Sequence, residues 1–173
     1  MHALDIETPR LRLRPLQEQD AAFILELLNE PAFIANIGDK DVRDLDGARQ
    51  YIAKGPQASY QQHGHGLLLV ELSDDATPVG ICGLVKRDCL PHPDIGYAFL
   101  KRHWGRGYAC EAGAACLDHA RKVLNIGVVV GITAPHNQGS IRVLEKLGLR
   151  YDRLLELPGI EGPSLYFVPA EEK

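Results

Sequence analysis

Gly105, Arg106 and Gly107 stand where a strand-like run from Asp94 to Leu100 gives way to a helix-like run opening at Tyr108 and Ala109. A junction of this kind aims unpaired backbone N–H groups and the positive end of a helix dipole at one point, which suits a phosphate. Neither glycine carries a Cβ, so the chain can turn sharply there and approach a ligand closely. Arg106 adds a guanidinium that stays charged at any ordinary pH. The chemistry open to these residues is the binding of an anionic cofactor. A triphosphate loop would need Lys and then Ser or Thr after its last glycine, where this chain has Tyr108 and Ala109. A dinucleotide loop wants a third small residue and, about twenty residues on, an acid. Cys110 and Gly127 occupy those places, and the loop lies past the middle of the chain.

Other reactive side chains carry weaker signals. His63-Gly64-His65 has no third ligand at a suitable spacing, so it reads as a polar loop and no metal is expected. Cys82, Cys89, Cys110 and Cys116 form no CxxC pair, which fits reduced thiols and a cytoplasmic location. Cys110 falls in a first helical turn, where a thiolate is favoured, although a small residue is all that position requires.

These groups must be positioned by a regular frame. Arg10 to Leu16 alternates apolar and polar residues and predicts a strand whose arginines face water. Asp20 is placed to cap a helix carrying Phe23, Ile24, Leu27 and Leu28, with Pro31 as its stop. A second helix is predicted over 44–54, with Gly55-Pro56 as a breaker. Leu67 to Leu72 and Val79 to Lys86 read as a hairpin, followed by a strand from Ile95 to Leu100. The helix after the glycines presents Ala109, Ala112, Cys116, Ala120 and Val123 at three-four spacing. Val128 to Thr133 reads as a central strand covered on both faces. A short helix ends at Gly148, and Tyr151 to Leu157 with Leu165 to Val168 closes the sheet as a hairpin. The order β-α-α-β-β-β-α-β-α-β-β predicts an α/β fold: a mostly antiparallel mixed sheet with helices on both faces.

Composition bounds the function. At 173 residues, with 45% hydrophobic and 24% charged residues, the chain is read as one globular domain with its core over about residues 8–169. A formal net charge of -4 argues against a nucleic-acid partner. No apolar run reaches bilayer length, so no membrane association is expected.

Three segments in order carry a family resemblance: Thr8-Pro-Arg-Leu-Arg-Leu-Arg-Pro-Leu16, Trp104-Gly-Arg-Gly-Tyr-Ala-Cys-Glu-Ala112, and Asn137-Gln-Gly-Ser-Ile-Arg-Val-Leu-Glu-Lys-Leu-Gly-Leu149. Together they resemble the GNAT N-acyltransferases, in particular the branch of ribosomal-protein N-terminal acetyltransferases. That resemblance implies acetyl-CoA as donor, with Gly105, Arg106, Gly107, Tyr108 and Ala109 around the pyrophosphate. It also implies that backbone groups of Phe99 and Leu100 pair with the pantetheine arm. Trp104, where the wider family has Gln or Arg, either covers an apolar part of the cofactor or fills core. Asn137 and Ser140 fall where the family contacts the reactive end of the cofactor; Asn137 can also cap its helix. Many family members place a tyrosine acid on this helix. None lies between Asn137 and Leu149, so Ser140 is the substitute candidate.

The reaction so implied is attack of an amine on a thioester in a ternary complex. A thiol of pKa about 8.5 is a tolerable leaving group near neutrality. Neutralising a lysine-like amine at pH 7 costs about 4.6 kcal/mol, against about 1 to 1.4 kcal/mol for an α-amine. A weak carboxylate base is therefore enough for an α-amine. Asp94, at the entrance of the strand beside the cofactor, is the first choice, and Glu71 on a neighbouring strand the second. Glu111, in the first turn of the cofactor helix, reads as a complement to the dipole. A protein N-terminus or a small amine (amino acid, polyamine or antibiotic) would serve as acceptor. An acyl-CoA sensor without a working base, a nucleotide-binding regulator and a homodimer all stay open.

Overall fold

The computed structural model describes residues 4–170. Strand β1 (Ile6–Glu7) leads into β2 (Leu11–Pro15), which buries Leu11 and Leu13 and exposes Arg12 between them. Helix α1 (Ala21–Leu28) follows, burying Ile24, Leu27 and Leu28. Asp20 stands at its N-cap position without capping it. Its carboxylate instead takes both Nη groups of Arg14, each at 2.9 Å, and the Gln17 N–H. Pro31 does not merely stop this helix. It begins α2 (Pro31–Asn36), where the missing N–H costs nothing because first-turn donors are unpaired anyway.

Helix α3 (Leu45–Ile52) is capped by Asp44, which accepts the Gly47 N–H. The expected break at Gly55-Pro56 does not occur. Ala53–Gln57 forms one π-helical stretch, with Ala58 N–H reaching back to Ala53 O, and the chain runs on into α4 (Ala58–His63). The wider turn accommodates a proline that can neither donate to nor fit an ordinary α-turn.

Strands β3 (Leu67–Leu72), β4 (Pro78–Val85) and β5 (Asp94–Phe99) complete an antiparallel five-stranded sheet in the order β1-β2-β3-β4-β5. Both its faces are covered. Leu68, Val70, Cys82 and Ile95 pack toward helix α5 (Tyr108–Lys122), whereas Leu69, Ile81 and Leu100 pack toward α1 and α3. Each such side chain withdrawn from water contributes roughly 1.5–3 kcal/mol. Val123, expected on the buried stripe of α5, lies just past the helix end and is 55% exposed.

The remaining chain forms β6 (Gly131–Thr133), α6 (Gln138–Lys146), β7 (Leu149–Glu156) and β8 (Pro163–Pro169), with a second sheet ordered β6-β8-β7. The mixed sheet is thus divided. Its halves meet in a parallel bridge between Asp94 and Val130, where Ile95 N–H donates to Val130 O and Val130 N–H to Pro93 O, both at 2.9 Å. Beyond that bridge β5 and β6 diverge. The central strand expected over 128–133 shrinks accordingly: Val128 is 37% exposed and only Gly131–Thr133 is strand, paired with β8 on one side.

Candidate active site

The divergence of β5 and β6 opens a cleft of about 400 Å³, walled by Phe33 and Asn36 of α2, Tyr97 of β5, Tyr108 of α5, and Asn137 and Ser140 of α6. At one end lies the glycine loop. Gly105 and Gly107 have φ of +78° and +81°, a region costly for any residue with a Cβ. Gly107 immediately precedes α5, whose first helical bond runs from Glu111 N–H to Gly107 O at 3.0 Å. The N–H groups of Tyr108, Ala109 and Cys110 are therefore left without helical acceptors, at the positive end of a fifteen-residue dipole.

The N-terminal strand locks this loop in place. Arg10 Nη1 donates to Arg106 O at 2.9 Å, its guanidinium lies 4.8 Å from the Tyr108 ring centre, and its Nε donates to Glu111 at 2.7 Å. Glu111 also accepts Thr8 Oγ1 at 2.6 Å and the Arg10 N–H at 3.0 Å. Burial alone would raise the Glu111 carboxyl, but the bonds from Thr8 and Arg10 outweigh it and hold it below the usual carboxylate range. Glu111 thus does more than complement the dipole: it ties the chain's first strands to the cofactor helix.

Along the cleft runs an open strand edge. Leu100 N–H donates to Val79 O at 2.9 Å, so Leu100 belongs to a hydrogen-bonded pair with β4. The alternation of an antiparallel ladder then turns the backbone groups of Ile95, Tyr97 and Phe99 away from β4. Ile95 spends its N–H at the bridge, leaving the stretch at Tyr97 and Phe99 facing the gap. Leu100, expected to share this role, does not: its N–H is used within the sheet and its side chain is wholly buried. Trp104 sits beside this edge, 48% exposed, with its indole N–H donating to Phe99 O at 2.8 Å.

At the far end α6 begins. Asn137 caps it by accepting the Ser140 N–H at 3.2 Å, and it also lines the cleft. Ser140 Oγ lies 2.8 Å from the Tyr97 hydroxyl. Burial raises the pKa of Tyr97, only partly offset by the bond to Ser140, so the phenol stays protonated.

Neither proposed base enters the cleft wall. Asp94 is 1% exposed at the vertex, where its carboxylate accepts Arg87 Nε at 2.9 Å; burial raises its pKa against the pull of Arg87. Glu71 lies on β3, 3.4 Å from Arg14 Nε and 3.8 Å from Arg12 Nη1, within a ladder of ion pairs. Among the described residues lining the cleft there is no Asp or Glu, and Arg142 is the sole permanently charged side chain. Tyr97, His103 and Arg142 are lining residues that sequence reasoning passed over. Burial and the neighbours Arg102 and Arg106 push the His103 pKa below the ordinary imidazole value, against the opposing pull of Glu26 and Glu30. Only the register of β5 with β4 and the docking of α6 reveal Tyr97. Among the described residues no cluster suits a metal ion.

Comparison with known proteins agrees with this geometry. Over 152 residues the chain is 34% identical to YkkB of Bacillus subtilis strain 168, covering 86% of each protein. An acetyltransferase from Agrobacterium tumefaciens superposes with a TM-score of 0.83 at 27% identity, covering 99% of this chain and 96% of that one. RimL, a ribosomal L7/L12 α-N-protein acetyltransferase solved with coenzyme A, shares the fold at a TM-score of 0.82 and 15% identity, over 96% and 97% of the two chains. The model of the GNAT acetyltransferase domain matches residues 10–150. With that match over most of its length, and a cleft built where its two half-sheets part, the chain belongs to the GNAT acetyltransferases and is an acyltransferase.

Proposed function

We propose that this enzyme moves the acetyl group of acetyl-CoA to a primary amine, by direct attack in a ternary complex. The observation that carries the donor is the alignment of three features along one cleft. The free N–H groups around Gly105–Ala109 suit the pyrophosphate, the outward edge at Tyr97 and Phe99 suits the amides of pantetheine, and Ser140 suits the thioester. The fold shared with RimL, solved with coenzyme A, supports the same donor.

For the acceptor we favour an α-amine, such as a protein N-terminus. The wall of the cleft lacks a carboxylate among the described residues. An α-amine needs only about 1 to 1.4 kcal/mol to be neutral at pH 7 and can lose its proton to water, whereas a lysine-like amine needs about 4.6 kcal/mol. In this reading Asp94 holds the vertex through Arg87 rather than taking the proton. The absence of an acidic wall also weighs against a polyamine, whose several charges would find no partner.

Calorimetry with CoA, followed by a thiol-release assay over α-amino peptides, lysine-like amines and polyamines, tests both parts. Binding of CoA with release confined to α-amines is the expected result. Failure to bind CoA would remove the donor; preferential turnover of polyamines would remove the acceptor class.

A further inference from the structure

Ser140 has one hydrogen to give, and its use depends on Tyr97. If the phenol donated to the Ser140 carbonyl, 3.2 Å away, the serine would have to donate back to the phenol and nothing would remain for a ligand. That carbonyl lies inside α6 and faces the backbone N–H four residues on. The serine hydroxyl, at 2.8 Å, is both the closer acceptor and the less engaged one. Donation from Tyr97 to Ser140 Oγ then leaves the serine hydrogen free to point into the cleft that both residues line.

Resting on the acetyl-CoA reading above, we propose that Tyr97 is a positioning residue for the leaving thiol: by donating to Ser140 Oγ it turns the serine O–H toward the sulfur of coenzyme A. The neutral amine attacks the thioester carbon, the C–N bond forms, and the C–S bond breaks with its electron pair on sulfur. The amine's surplus proton goes to water. Sulfur leaves as a thiolate that accepts a hydrogen bond from Ser140 and takes its own proton from solvent afterwards. Tyr97 keeps its proton throughout. A phenol buried enough to resist ionisation suits this task, because it remains a donor across the working pH range. Chained donors also strengthen one another in a dry site.

The test needs no knowledge of the acceptor. Calorimetry at pH 9, where a much larger share of free CoA is thiolate than at neutrality, compares CoA with desulfo-CoA, which lacks the sulfur. Parent protein is expected to prefer CoA. Ser140→Ala should lose roughly tenfold or more of the CoA affinity and none of that for desulfo-CoA. Tyr97→Phe should lose roughly three- to tenfold of the CoA affinity alone, and the double variant should lose no more than Ser140→Ala. Equal losses for both ligands in Tyr97→Phe would reduce the tyrosine to a packing role and overturn the proposal. Unchanged affinity for both, or additive losses in the double variant, would also overturn it. Parent protein that binds neither ligand would instead remove the acetyl-CoA reading, and this inference with it.

Discussion

In the proposed reading, the groups at the phosphate end of the cleft are main-chain N–H groups within the continuous stretch Gly105–Cys110, whereas at the thiol end they are two hydroxyls, Tyr97 and Ser140, 43 residues apart in the chain. The first end is indifferent to most side chains but intolerant of any Cβ at its two left-handed positions. The second tolerates nearly isosteric changes in shape but depends on single oxygen atoms. One end therefore fails through backbone geometry and the other through chemistry.

Substitution at the glycines should break the comparison most sharply. A Cβ at Gly107 would meet Arg10 Nη2 at 3.4 Å in a conformation that costs a side-chain-bearing residue roughly 1–2 kcal/mol. Gly107→Val is expected to weaken CoA binding more than tenfold by calorimetry. At the opposite end, Ser140→Ala should lower kcat roughly tenfold with little change in KM for acetyl-CoA, since the bond forms to charge that develops only during reaction. Equal effects on kcat and KM would show that the two ends are not separable.

The clamp behind the loop comes next. Glu111→Gln should cost about 1–3 kcal/mol in chemical denaturation and weaken CoA binding a few-fold. Its folded-state pKa lies below the ordinary value, so its contribution is present above the unfolded carboxylate pKa and is lost as pH falls through the depressed folded one. The gap between parent and variant should close on that acid side.

Asp94 has the opposite sign. Its folded-state pKa is raised chiefly by burial, so the parent is relatively most stable below the unfolded carboxylate pKa and loses that advantage as pH rises through the raised one. Asp94→Asn should gain stability relative to the parent over that rise, with kcat per folded molecule within about twofold, since no step is assigned to this carboxylate. A large loss of kcat with a lost acid limb in the pH profile would restore it as the base. Smallest is Trp104→Phe, which removes one bond from an exposed indole to Phe99 O and should cost about 0.5–1.5 kcal/mol. Trp104 is the only tryptophan, so its fluorescence should report CoA binding directly in the parent.

Local signals were legible where a few neighbouring residues decide the structure. Two glycines before an apolar-periodic run were enough for a left-handed turn opening into a helix, and Asn137 three residues before Ser140 was enough for a cap. Readings failed where distant packing intervened. Pro56 was read as a break because a proline's missing N–H is a local fact, while the π-turn that absorbs it goes with the burial of that residue in the folded chain. Val128 to Thr133 was read as a central strand because β-branched runs favour one, yet where a sheet divides is not written in either strand alone. Asp94 and Glu71 were plausible bases from their strands; that each faces an arginine emerges only once Arg87, Arg12 and Arg14 are brought across.

From sequence alone came the glycine turn that opens the long helix, the strands and helices that frame it, and the family those motifs resemble, because each depends on residue types at short separations. Tertiary structure decided that β5 and β6 part beyond Val130, that Tyr97 rather than Leu100 faces the gap, and that a phenol from strand β5 meets a serine from helix α6. Strand register and helix docking set those contacts, and both arise from the packing of the whole core.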